Sequence, residues 1–201
     1  MLSTFPVSLN LKDRPCLIIG GGSIAANRVE QLSAAGAHVT LVHPRLTPAL
    51  RKQREGGQIK HLSRSFRLKD IQGMVLVLNT LKTKPELSRA LLRLATREGF
   101  LLNSHDQPLY SNFIMPAIVQ RGHLQIGITT GGASPSISKR LREDLEELFD
   151  GEFTAFLDWL ARMRRDLLKS DLPLKKRIAL LRKVTRDFTL SGKIRYPKAW
   201  R

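Results

Sequence analysis

The stretch that most narrows the choice of fold is PCLIIGGGSIAANRVEQLSAAGAHVTLV, residues 15–42. Pro15–Ile19 is a short apolar run that ends abruptly in three glycines, the pattern of a parallel strand buried on both faces. After the glycines, Ile24, Ala25, Val29 and Leu32 recur at helical spacing, and Gly36 supplies a C-terminal stop. Val39–Val42 is a second β-rich run, so the stretch reads as strand, tight turn, helix, strand. In that setting Gly20-x-Gly22-x-x-Ala25 is a variant of the dinucleotide-binding fingerprint. Gly20 permits the turn, Gly22 lets the backbone approach a pyrophosphate, and a small residue at 25 lets helix and strand pack closely. The amides opening the helix, together with its dipole, then face the phosphates. On its own, a glycine triplet before a helix is also a plain flexible turn.

One expected element is missing. The second strand of such a unit commonly ends in Asp or Glu when ribose hydroxyls are bound, and here the chain reads Val42-His43-Pro44-Arg45. The end of this strand therefore does not choose between NAD and NADP.

The same grammar continues to about residue 110. Residues 46–56 read as a short helix, 58–62 as an edge strand, Met74–Leu78 as another buried strand, Pro85–Glu98 as a helix and Phe100–Asn103 as a last strand. Alternation of this kind predicts an α/β, Rossmann-like parallel sheet, with ligands beyond the carboxyl ends of its strands. The glycine turn, Asn79-Thr80-Leu81 and Ser104-His105-Asp106 sit at those ends. From Asn112 the pattern changes. Phe113–Gln120 and Leu124–Thr130 read as a hairpin about Arg121-Gly122-His123, and Ser134-Pro135 opens a helix with an Ile137, Leu141, Leu145, Leu148 stripe. Such a piece is too small to stand on its own core and predicts packing on the first domain or on a second copy. Helices over 152–169 and 174–189 follow, then an unstructured SGKIRYPKAWR. The expected division is 1–111, a nucleotide-binding domain; 112–150, a dimerisation hairpin and helix; and 151–201, a basic helical region.

Charge is the compositional outlier. The chain carries 34 Lys and Arg against 17 Asp and Glu, net +17, of which residues 151–201 hold 14 against 5, net +9. A balance this basic predicts polyanionic partners: nucleic acid, anionic lipid or a polycarboxylate small molecule. One cysteine, Cys16, excludes an internal disulfide. With no signal-like start, it predicts a cytoplasmic protein, and no apolar run approaches a membrane span. No His/Cys cluster has metal-ligand spacing, so no resident metal is expected.

Three strings in this order and spacing, CLIIGGGSIAANRVEQLSAAGAHVTLV, NSHDQPLYSNFIMPAIVQRG and ITTGGASPSISKRLREDLE, resemble the precorrin-2 dehydrogenase / sirohydrochlorin ferrochelatase family over roughly residues 1–150. The resemblance implies NAD-dependent oxidation of precorrin-2 to sirohydrochlorin, in some members followed by insertion of Fe²⁺ as a substrate. It also implies a homodimer built through the hairpin and following helix. It places the functional aspartate in the N-x-x-D-x-P segment, here Asn103–Pro108, at Asp106. The resemblance implies NAD contacts just after the glycine triplet and just beyond the second strand, at Ser23, Ile24, Pro44 and Arg45, and the glycine turn itself, Gly20, Gly21 and Gly22, with Thr80 at the neighbouring strand end completes the expected cofactor-binding set.

A carboxylate at that strand end suits a general base, since the oxidation removes a hydride and a proton. Asp106 is also a natural turn initiator before Pro108. His105 is a weaker proton-transfer candidate or a solvent-facing loop residue. Thr130, before Gly131-Gly132, either binds a carboxylate or accepts a regulatory phosphate, or is an ordinary strand residue. Lys139 and Arg140 either clamp substrate carboxylates or form a solvated helix face. Cys16 reads as packing. Many relatives carry an acidic pair where this chain has Leu81-Lys82, and Arg28 partly represents a basic residue usual in the first helix. Two competing readings follow. One is a nucleic-acid-binding or regulatory protein using Arg162, Arg164, Arg165, Lys175, Lys176 and Arg177; the other is a binding homologue without turnover.

Overall fold

The computed structural model describes residues 4–81 and 85–192. Lys82 and residues 193–201 of the tail read as unstructured lie outside the described residues. The chain forms two compact units, Met1–Pro116 with Gly131–Ala133, and Ala117–Thr130 with Ser134–Arg201.

In the first unit, strands β1 (Pro15–Ile19), β2 (His38–Val42), β3 (Ile59–Leu62), β4 (Leu76–Asn79) and β5 (Leu101–Ser104) make a wholly parallel sheet in the order β3-β2-β1-β4-β5. The crossovers are α1 (Ser23–Ala34), α2 (Pro48–Glu55), a 3-10 turn at Leu68–Ile71 and α3 (Pro85–Glu98). Because side chains alternate along a strand, the unbroken apolar run of β1 feeds two cores. Cys16 and Ile18 pack with Ala25, Val29 and Leu32 of α1. Leu17 and Ile19 pack with Leu91 and Ala95 of α3. Leu17 is fully buried, and a Leu→Ala change in such a place costs about 2–5 kcal/mol.

Register sets where the site must be. Ile19 pairs with both Val42 and Asn79, and Asn79 pairs with Ser104, so four strands finish level with one another. The residues that follow, Gly20, His43, Thr80 and His105, leave the sheet side by side. The strand order also reverses between β1 and β4, the switch point where α/β sheets open a crevice.

Two strands run later than their composition suggests: β4 extends to Asn79 and β5 to Ser104. Backbone bonds carry the ladder on, from Thr80 N–H to Ile19 O (2.9 Å) and from His105 N–H to Asn79 O (2.8 Å). The β-rich run expected over 113–120 is only partly a strand. Phe113 and Met115 instead fill the α1-side core, and Asn112 seals the outer edge of β5. Its side-chain oxygen accepts Leu102 N–H (2.7 Å), its amide donates to Phe100 O (2.9 Å), and its backbone N–H donates to Leu102 O (3.0 Å).

In the second unit, β6 (Ala117–Arg121) and β7 (Leu124–Ile128) form an antiparallel hairpin whose Gly122 has φ 52°. Helices α4 (Pro135–Leu148), α5 (Gly151–Lys169) and α6 (Leu174–Thr185) follow. Ser134 Oγ caps α4 by accepting Ile137 N–H (3.3 Å), and Asp150 Oδ1 caps α5 by accepting Phe153 N–H (3.0 Å). Arg121 ties the hairpin to the end of α4, Nε donating to Phe149 O (3.1 Å) and Nη2 to Glu146 O (2.9 Å). Helix α6 ends at Thr185, four residues short of the expected 189, and Phe188 turns back to ring contacts with Phe153 and Phe156. Among the described residues, no helix is long and apolar enough to cross a membrane.

Candidate functional site

The glycine turn is built from three different necessities. Gly20 has φ +134°, and a Cβ there would run into the Thr80 side chain. A Cβ on Gly21 would run into Arg45 O and the His43 ring, so the loop after β2 lies directly on the turn. Gly22 has an ordinary extended backbone (φ −94°, ψ −171°), and a Cβ there would meet nothing within 4 Å. Gly22 is the N-cap of α1, with no side-chain cap, and the first intrahelical bond runs from Ala26 N–H to Gly22 O (3.1 Å). The amides of Ser23, Ile24 and Ala25 thus precede the helical bonding pattern and open onto space that a Cβ at 22 would enter. That is the shape and donor set that takes a pyrophosphate.

The other strand ends wall this turn. Thr80 commits its hydroxyl to Ile19 O (2.9 Å), so it braces β4 against β1 beneath Gly20. Thr47 N–H bonds to Gly21 O (3.2 Å), and His43 Nδ1 lies 2.5 Å from Arg45 O, stapling the 43–47 loop in place. Pro44 and Arg45 are exposed. On the flank after β3, Arg64 and Asp70 form a two-pronged ion pair (2.6 and 2.8 Å) that holds the Asp70 carboxyl below its ordinary range. Arg28 on α1 is half-buried, burial pulls its pKa down, and it donates to Gln31 Oε1 (2.7 Å).

Asp106 follows β5 in the left-handed region, φ 56°, a conformation Asp tolerates better than most residues. Its carboxylate is exposed and lies 3.4 Å from His105 Nε2. The turn carrying both is held by His105 N–H on Asn79 O, by Gln107 N–H on Ser104 O (3.1 Å) and by Ser104 N–H on Ser111 Oγ (2.9 Å). Ser111 and Asn112 are the positioning residues that sequence reasoning missed. Each is a small polar residue whose side chain bonds back to β5 or the residue before it, and nothing in local periodicity marks it.

The remaining candidates lie in the second unit. Thr130 Oγ1 donates to Ser134 O and accepts Ser134 N–H (both 3.1 Å), shaping the turn into α4. Lys139 and Arg140 each pair one helical turn on, with Glu143 (3.9 Å) and Asp144 (3.1 Å). Among the described residues, no three His, Cys, Asp or Glu side chains group as a metal-holding set.

Sheet order, register and turn together define a Rossmann-type nucleotide-binding fold. Comparison with known proteins agrees. Residues 7–117 match the family model described as "Putative NAD(P)-binding", and residues 121–148 match "Sirohaem biosynthesis protein central". The siroheme synthase of Methylobacillus flagellatus is 36% identical over 81% of this chain and 35% of its own length. That of Thioalkalivibrio sulfidiphilus is 36% identical over 74% and 30%. The chain therefore spans about a third of the length of these curated relatives. A solved structure titled "SirC, precorrin-2 dehydrogenase" superposes with TM-score 0.78 at 25% identity, covering 92% of this chain and 90% of that one. The chain belongs to the NAD(P)-binding family of precorrin-2 dehydrogenases and siroheme synthases. The nucleic-acid reading of the basic tail gains no support from these matches.

Proposed function

We propose that this chain oxidises precorrin-2 to sirohydrochlorin, with NAD as the coenzyme in the reading drawn from the resemblance. The observation that carries it is the level edge of the sheet, along which the donor-lined glycine turn and the turn bearing Asp106 leave on either side of the end of β4. The bound nicotinamide supplies a hydride acceptor. The chain's own contribution is positional and protolytic. Amides of residues 23–25 hold the pyrophosphate, Thr80 and Gly20 lock β4 to β1, and Asp106 accepts the proton that leaves with the hydride. Its exposed carboxylate and the adjacent His105 give that proton a route to water. The net charge of +17 suits a substrate carrying several carboxylates. Lys139, Arg140 and Thr130 are the candidates for its carboxylates.

We infer also that the chain works as a homodimer in the cytoplasm. Helix α4 exposes Ile137, Leu141 and Leu148, 51%, 44% and 45% accessible, along one stripe, an arrangement that a second copy would cover. Fe²⁺ insertion into sirohydrochlorin is a second reaction of the same site in this reading, with iron as substrate and Asp106 as acceptor of the displaced pyrrole protons.

The test is anaerobic incubation of the protein with precorrin-2 and nicotinamide coenzyme, followed for the sirohydrochlorin spectrum. Wild type is expected to turn over, and Asp106→Ala to lose turnover while still binding coenzyme. A folded wild type that gives no spectral change refutes the assignment, and near-normal turnover of the variant makes Asp106 a turn residue only. Adding Fe²⁺ to sirohydrochlorin and comparing with the uncatalysed rate decides the chelatase step.

A further inference from the structure

A four-residue link, 170–173, turns the chain from α5 into α6, and Phe188 beyond α6 reaches back to Phe153 and Phe156 near the start of α5 (5.8 and 5.9 Å between ring centroids). The two helices therefore run antiparallel, closed by aromatic rings at one end and by the link at the other. At the link end the apolar side chains find no core. Leu168 and Leu174 are 61% and 63% exposed, Leu172 and Ile178 are exposed as well, and neither helix contains a buried residue.

The same end is cationic. Residues 162–183 hold nine Lys and Arg against two Asp, net +7. On α4 the basic residues are matched one turn on, Lys139 by Glu143, Arg140 by Asp144 and Arg142 by Glu146. The nine have no such match: among the described residues, no ion pair involves any residue from 162 to 183. Charge and apolar surface are also interleaved. Arg164 and Arg165 stand one turn before Leu168. On α6, which has five cations and no acid, Leu174, Ile178 and Leu181 share one side, Lys175 and Arg182 flank it, and Lys176 and Lys183 lie opposite.

The partner must satisfy both properties at once. A second copy docking about a two-fold axis would lay this patch on itself, cation against cation. Nucleic acid would take the charges and leave Leu168 and Leu174 in water. An anionic bilayer takes both, because its phosphates lie directly above an apolar layer. We propose that the link end of the α5–α6 pair is a peripheral docking surface for anionic lipid, its leucines entering the boundary between headgroups and acyl chains while its lysines and arginines lie against the lipid phosphates. No described helix is long and apolar enough to cross a membrane, so the contact is interfacial. Each cation near such a surface strengthens binding by about fivefold, and screening by salt weakens it. This surface belongs to the second unit alone and stands whether or not the chain oxidises precorrin-2.

Sedimentation of the full chain with lipid vesicles tests this. Vesicles of phosphatidylglycerol mixed with phosphatidylcholine are expected to bind it at least about tenfold more tightly than phosphatidylcholine alone, and less so as salt is raised. Leu168→Ser with Leu174→Ser leaves the charge unchanged and should lower affinity for the anionic vesicles by at least about tenfold. Lys175→Glu with Lys176→Glu should abolish sedimentation. All four side chains are exposed, so circular dichroism should not change in either variant. Equal binding to the two kinds of vesicle, or to neither, overturns the proposal. A serine variant that sediments like wild type also overturns it, since the attraction would then be to charge alone and nucleic acid would be the better-fitting partner. If wild type ignores vesicles and the serine variant loses mass by light scattering, the surface belongs to a second copy and the lipid proposal falls.

Discussion

Substituting alanine at two glycines only two residues apart should separate folding from coenzyme binding. At Gly20 the native φ of +134° lies where L-residues pay about 1–3 kcal/mol, and the new methyl would displace Thr80, whose hydroxyl bond to Ile19 O is worth about 1 kcal/mol. Gly20→Ala should therefore destabilise the first unit by about 2–4 kcal/mol. At Gly22 the backbone is ordinary and the methyl meets nothing. Alanine is a poorer N-cap than glycine by up to about 1 kcal/mol, but it lowers the entropy of the unfolded chain by about 0.4–1 kcal/mol, so the net change should be near zero. Yet that methyl enters the space over the first amides of α1, where close backbone approach is what a pyrophosphate requires. Urea unfolding should leave the Gly22→Ala midpoint close to wild type while coenzyme titration shows at least about a tenfold loss of affinity. Wild-type affinity in a folded Gly22→Ala protein would falsify the cradle, and a Gly20→Ala protein as stable as wild type would refute the reading of the turn.

Four further outcomes are expected. Arg121→Met removes two charge-assisted bonds to the last carbonyls of α4 and should weaken the second unit by about 1–3 kcal/mol, seen as faster amide exchange in β6 and α4 with the first unit unaffected. Asp70 has a depressed pKa in the folded chain because Arg64 and the Arg67 amide hold its charged form, so its contribution is complete above the unfolded value of about 3.9 and fades as pH falls through the lower, folded one. The stability gap between wild type and Asp70→Asn should be flat above pH ~5 and close in stronger acid; a gap that closes on raising the pH contradicts this sign. Burial pushes the Cys16 thiol up to about 11, so a disulfide reagent at pH ~8 should label it only after unfolding, and rapid labelling of native protein would show that β1 opens. Ile137→Lys with Leu141→Lys should convert a dimer to monomer by light scattering; an unchanged mass would place the subunit contact elsewhere.

The parallel sheet could be read from β1 and the glycine turn because every level of the pattern agreed there: an apolar run, a turn that only glycine makes, and a helix at 3.6-residue spacing. Helices α3 and α4 likewise start at Pro85 and Pro135, as their sequence signals require. Strand ends were less visible, since β4 and β5 run on through Asn79 and Ser104, residues that do not look β-like and are held by neighbouring strands. The fate of Phe113 and Met115 could not be seen either. An apolar residue before Pro116 suits a strand or a core equally, and only the tertiary fold decides. At the site, local chemistry pointed to Gly20 and Gly22, whereas Asp106 came from the family resemblance, since an Asp before Pro108 suits a turn equally well. The roles of Gly21 and Thr80 as braces depend on loops 20 to 60 residues away, about which no window of sequence carries information.

Asn112 closes β5 without lengthening the sheet. By offering one acceptor and one donor in the places where another strand would put a carbonyl and an amide, a single side chain satisfies a margin that would otherwise attract a foreign backbone. At the opposite margin β3 is only four residues long and turns Lys60 to water. The main sheet thus ends in a side-chain closure at one margin and a short strand carrying an exposed lysine at the other, two different devices that each disfavour the addition of a foreign strand.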